Sequence, residues 1–183
     1  DNLQGFFTVF CYITVFFYGR MWGRKYPQKI SWLAGTIAVM TAAAGVLGIS
    51  QFAGVDLLSN GPVRWFLGGR DAVVKNVVYL AQYHWNYAGS FAAFFLPVIL
   101  AGILYYRQHE RAGEKGARRK KSMAVLLFFA LAFCLFGSQS RTGALAAVFT
   151  AIVALVIFRK RIKGAWKLLT MLVIGSLFLA GIC

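Results

Sequence analysis

Residues 30–53 read ISWLAGTIAVMTAAAGVLGISQFA, 24 consecutive positions without an Asp, Glu, Lys or Arg. A helix of about 20 such residues, rising about 1.5 Å per residue, crosses the hydrocarbon core of a bilayer. Arg24, Lys25 and Lys29 precede the stretch, and Gly54 and Asp56 follow it. Working outward, the pattern of a long apolar run bounded by polar residues returns at 3–19, 85–106, 123–138, 142–158 and 168–182. The composition agrees: 60% of the 183 residues are hydrophobic and 14% are charged, against about 25% charged in ordinary soluble domains. A soluble globule of this length has too little interior to hide that much apolar surface. The fold class expected is therefore all-α, a polytopic membrane protein with about six transmembrane helices in a single domain over 1–183.

The charges set an orientation. The formal net charge is +15, from 20 Lys and Arg against 5 Asp and Glu. Sixteen of the 20 cations lie in three connections: Arg20 to Lys29, Arg107 to Lys121, and Arg159 to Lys167. By the positive-inside rule these connections face the cytoplasm, and the 54–84 loop and the 138–141 turn face outward. Because the cations punctuate apolar runs instead of forming one stripe, they imply contact with bilayer headgroups and no nucleic acid. The small residues Ala38, Ala42, Ala44, Gly45 and Gly48 predict close helix packing. The start at Asp1-Asn2, with no signal-peptide pattern, and the end at Cys183 inside an apolar run suggest an internal segment of a longer protein. Cys11, Cys134 and Cys183 have no metal-ligand spacing and read as packing residues. No metal and no cofactor are expected, since no His, Cys and carboxylate cluster, Walker loop or dinucleotide fingerprint is present.

The outward loop carries the most local pattern. Asn60-Gly61-Pro62 is a turn signal, and Gly68-Gly69 allows a bend before Arg70. Asp71 is placed to cap a helix over 71–83 whose Val73, Val74, Val77, Val78 and Ala81 share a face, so a short amphipathic helix on the outer surface is expected. Tyr79, Tyr83, Trp85 and Tyr87 fit an interfacial aromatic belt.

Chemistry points first to Arg141, within Gly137-Ser138-Gln139-Ser140-Arg141-Thr142-Gly143 between two apolar runs. A guanidinium at membrane depth costs from about 2.5 kcal/mol upward unless paired or hydrated. The five acids, Asp1, Asp56, Asp71, Glu110 and Glu114, all lie outside the neighbouring apolar runs. A phosphate satisfies the planar fork with two parallel hydrogen bonds, and Ser138, Ser140 and the next helix N-terminus offer further donors. Arg64 and Arg70 share that side, and His84 and Asn86 open the third run, where they suit an oxygen-rich ligand. Against this stand plainer roles: snorkelling for Arg141, solvated loop charges for Arg64 and Arg70, and helix capping for Asn86. Two other functions use the same residues. In a transporter or channel segment Arg141 is a substrate counter-charge; in a non-catalytic scaffold the arginines touch only headgroups.

The stretch Gly137 to Leu145 resembles the S-x-S-R-x-x-x-L signature of the O-antigen ligase and polymerase superfamily. Tyr83-His84-Trp85-Asn86-Tyr87-Ala88-Gly89 through Leu96-Pro97 is similar to the family's H-x-N-x-x-A … L-P segment, in the expected order and at the expected distance. The resemblance covers about residues 60 to 160. It implies an integral membrane enzyme of the bacterial inner membrane that transfers glycan from an undecaprenyl-pyrophosphate carrier to an acceptor on the outer face. It needs neither nucleotide sugar nor metal. It further implies pyrophosphate or glycan binding by Arg141, Arg70, Arg64, Ser138, Ser140, His84 and Asn86. The family's late outward loop, which supplies further Arg and His residues and the expected base, is not among these residues. The stretch alone is therefore expected to be inactive, and no catalytic residue is assigned.

Overall fold

The computed structural model describes residues 14, 17–19, 21–26, 30–59, 76–80, 85–149, 151 and 166–182. Helix is the only regular structure among them: α1 (Ile30–Phe52), α2 (Trp85–Arg111), α3 (Ala117–Gly137), α4 (141–149) and α5 (Trp166–Ile182), with a single 3-10 turn at Leu57–Ser59. Three of these, α1, α2 and α3, are long and apolar enough to cross a membrane, and α5 holds a shorter apolar stretch, Leu169–Gly181. The expected span at 3–19 lies mostly outside the described residues, as does the second half of 142–158.

Two compact units divide the chain, 1–39 and 40–183, with the boundary inside α1. In the first, the helical residues 21–25 carry Trp22, whose ring lies 6.1 Å from that of Tyr26, and the Lys25 ammonium sits 5.4 Å from the Tyr26 ring centre.

The second unit is built on α3. Its partner α2 joins it by the short turn 112–116, which Gly113 (φ 79°) and Gly116 (φ 83°) close in the left-handed region that glycine adopts without strain. Both helices reach further into the connection than their apolar runs predict, to Arg111 and back to Ala117. Most of the cations expected in a loop therefore stand on helical extensions, where Glu110 pairs with Lys121 and His109 with Glu114. Pro97 interrupts the hydrogen bonds of α2, a break that spanning helices tolerate.

Small residues let α1 approach α3. A side chain at Gly45 would meet the Ala130 Cβ at 2.8 Å, and one at Gly48 would meet the Cys134 sulfur at 2.7 Å. The Cys134 thiol donates to the Ala44 carbonyl (3.4 Å), and Phe52 meets Phe133 edge-on. On another side of α3, Gly175 of α5 receives the Phe129 ring. Large apolar side chains point away from these contacts, among them Val46, Ile49, Phe94, Leu126, Leu145, Phe149, Ile174 and Phe178. Water would oppose that arrangement and lipid favours it.

One expectation is corrected. Over its described part, 76–80, the amphipathic helix does not form. Asn76 and Leu80 take left-handed backbone angles, and Val78, Tyr79 and Leu80 are buried in succession where a surface helix would bury one face. A run rich in β-branched valines has weak helix propensity, and hydrogen bonds from α1 and the end of α3 replace those a helix would supply. Residues 71–75 and 81–83 lie outside the described part.

Candidate functional site

At the end of α3 away from the 112–116 turn, the chain breaks and restarts within three residues. The Ser138 and Gln139 amides still donate to the carbonyls of Cys134 (3.0 Å) and Phe136 (2.9 Å), and the Ser138 hydroxyl donates to that of Leu135 (2.7 Å). Gln139 then reverses the backbone at φ 51°. Ser140 is the N-cap of α4: its Oγ accepts the Gly143 amide (3.0 Å), and its carbonyl accepts the Ala144 amide (2.9 Å). Arg141 is consequently the first residue of α4, and it is exposed. A cation there adds to the positive end of the helix dipole instead of opposing it, so the same spot attracts an anion twice over.

The first turn of α2 packs directly on this break. A Cβ at Gly89 would lie 2.5 Å from the Ser140 Cβ and 2.8 Å from the Ser138 Oγ. One at Gly143 would lie 2.8 Å from the Gly89 carbonyl carbon. Backbone touches backbone, so Asn86-Tyr87-Ala88-Gly89 and Ser138 to Gly143, some 50 residues apart in sequence, form one junction. Asn86 is exposed on that first turn, and its carbonyl accepts the Ser90 hydroxyl (3.0 Å). Ser138 and Ser140 are buried, their hydroxyls engaged with backbone, so they shape the break beneath Arg141. Arg64, Arg70 and His84 lie outside the described residues.

Reading the sequence missed a second polar group beside this junction. Gln51, in the last turn of α1, is fully buried. Its Oε1 accepts the amides of Tyr79 (3.2 Å) and Leu80 (2.8 Å), and its Nε2 donates to the Leu80 carbonyl (2.9 Å) and to Asp56 Oδ1 (3.3 Å). The Tyr79 hydroxyl donates to Asp56 Oδ2 (2.9 Å), and the Leu58 amide donates to Oδ1 (3.0 Å). Tyr79 is thus a buried hydrogen-bonding residue, whereas Tyr87 is exposed as an interfacial ring would be. The signal available was a glutamine closing an otherwise apolar run, five residues before an isolated aspartate.

No protein-family pattern, curated protein or solved structure matches the chain. Its residues and their geometry carry the functional argument.

Proposed function

We propose that this chain is part of a multi-pass enzyme of the bacterial inner membrane that transfers or polymerises glycan carried on undecaprenyl pyrophosphate, as in the O-antigen ligase and polymerase superfamily that its motifs resemble. The observation that carries the reading is the junction itself: the two segments of the resemblance touch through Gly89 and Gly143, and Arg141 leaves that contact exposed at a helix start. In the six-span arrangement expected from the sequence, with the basic connections inside, the junction lies at the outer headgroup layer, where a lipid carrier would present its pyrophosphate.

In that reaction an acceptor hydroxyl attacks the anomeric carbon, and the bond from that carbon to the pyrophosphate oxygen breaks. Negative charge grows on the departing pyrophosphate. Arg141 stabilises it with a two-pronged contact, reinforced by the dipole of α4. Arg70 and Arg64 act as further cations, and His84 and Asn86 bind glycan. The base that takes the acceptor proton lies elsewhere in the full protein.

The test is transfer from purified lipid-linked glycan to acceptor in proteoliposomes, using the intact protein with expression and melting checked. Arg141→Lys keeps the charge and loses the fork, a loss of about 1.5–3 kcal/mol, or roughly 10- to 150-fold in rate. Arg141→Ala loses more, and Arg70→Ala less. Wild-type turnover by Arg141→Lys would reject the phosphate grip.

A further inference from the structure

Among the described residues, the non-glycine positions with left-handed backbone are Asn76 (φ 63°), Leu80 (φ 52°) and Gln139 (φ 51°). All three belong either to segment 76–80 or to the end of α3 that it meets. Left-handed backbone is disfavoured for any residue with a Cβ, most of all for one as bulky as leucine, and persists where the surroundings over-determine it. Two sets of bonds do so here. On the α1 side, the Gln51 amide takes both N–H groups of Tyr79 and Leu80 and gives one to the Leu80 carbonyl, acting as a substitute peptide group. On the α3 side, the Val78 amide donates to the Gly137 carbonyl (2.8 Å), and Gln139 Nε2 donates to the Asn76 carbonyl (3.2 Å). Between them Val78 fills space left open by glycines: a Cβ on Gly137 would meet its Cγ2 at 2.7 Å, and one on Gly48 its Cγ1 at 3.3 Å.

Residues 76–80 therefore form a crosspiece bonded along one edge to α1 and along the other to Gly137, which ends α3, and Gln139 just beyond it. Gln139 lies two residues before Arg141, and Ser140 between them starts α4. We propose that Gln51 is a positioning residue: through the crosspiece it holds the 137–141 break in register and so fixes where Arg141 stands. The proposal rests on reading Arg141 as the group that grips phosphate, and it deepens that reading by naming what holds the grip in place. A two-pronged contact tolerates displacement of only about 0.5 Å, so a loosened crosspiece weakens transfer without removing any group that touches substrate.

The experiment measures amide hydrogen exchange and glycan transfer on the intact protein in lipid nanodiscs, comparing wild type, Gln51→Leu, Gln51→Glu and Ser140→Ala. Gln51→Leu removes the three Gln51 bonds to the crosspiece; Gln51→Glu keeps an acceptor, loses the donor to the Leu80 carbonyl and faces the Asp56 carboxyl. Exchange at 78–80 is expected to quicken about tenfold or more in both Gln51 variants, and exchange at 139–144 to quicken with it. Ser140→Ala quickens 143–144 alone. Turnover per folded molecule falls about tenfold in Gln51→Leu, and adding Arg141→Ala to that variant costs less than it does in wild type, as expected when two residues act through one contact. Unchanged exchange at 139–144 beside faster exchange at 78–80 overturns the proposal and leaves the glycan reading untouched. Coupled exchange with full transfer activity in Arg141→Ala rejects Arg141 as the phosphate grip, and coupled exchange with no glycan transfer by wild type rejects the glycan reading, while in both cases the mechanical link through Gln51 stands. Should Gln51→Leu fail to insert, Tyr79→Phe, which removes the bond to Asp56 and keeps those to Gln51, gives the same comparison at lower amplitude.

Discussion

At Gly89 the absence of one methyl group decides whether two helices meet. Alanine there would press on both Ser138 and Ser140, and overpacking of that kind costs about 1–3 kcal/mol. Gly102, on the same helix, has nothing within 4 Å of its missing Cβ. Gly89→Ala is therefore expected to lower the melting temperature of the detergent-solubilised protein, and Gly102→Ala to leave it unchanged. Equal melting of the two variants would contradict the backbone contact. Ser140→Ala removes the N-cap of α4 at a cost of about 1 kcal/mol, readable as lost helicity and melting temperature. At this scale the sequence was half legible. Ser-x-Ser-Arg between two apolar runs announced a break with a cation in it. What it could not disclose was that the hydroxyls turn inward to backbone, because that depends on Gly89 arriving from 50 residues away. Gln51 was illegible for the same reason: its partners at 79 and 80 are fixed by tertiary placement alone.

Among the elements, α1, α2, α3 and α5 were legible because an apolar run of spanning length has few alternatives to a helix. Their ends were not. Runs of Arg and Lys such as Arg118 to Lys121 read as loop, yet they are good helix formers and simply extend α3 past its apolar part. The failure at 76–80 has the opposite sense, since helical spacing of valines was present and local preference lost to hydrogen bonds from outside the segment. The tight turn between α2 and α3 yields its own prediction. Gly116 holds φ 83°, so Gly116→Ala should destabilise by about 1 kcal/mol even though open space surrounds it. Glu110→Gln, which breaks the partly exposed pair with Lys121, should cost less than that. Thermal melting of the two variants side by side checks the order, and a larger loss from Glu110→Gln would show the ion pair to be the stronger brace.

For the whole molecule, three helices among the described residues are long and apolar enough to cross a membrane, and most of their residues are not buried by protein, a surface that a bilayer would cover. The positive-inside rule applied to the cation distribution then predicts the sidedness. Single cysteines placed at Gly113 and Gly164, in a background lacking Cys11, Cys134 and Cys183, are expected to react with a membrane-impermeant thiol reagent only after the cytoplasmic side is opened. A cysteine at Asn60 is expected to react in intact cells. Labelling of Gly113→Cys from outside would invert the topology and carry Arg141 to the opposite side of the membrane from the one proposed.

The turn at 112–116 and the crosspiece at 76–80 also differ in when they can come into being. The turn joins neighbours in sequence, so α2 and α3 can enter the bilayer as a pair soon after synthesis. The crosspiece needs Gln51, Tyr79 and Gly137, three stretches of chain spread over more than 80 residues, and it can close only after α3 has been inserted. A lesion at the turn is thus a defect of biogenesis, seen as lost membrane yield. A lesion at the crosspiece is a defect of maturation, leaving a protein that reaches the membrane in normal amount with its 137–141 break unlatched.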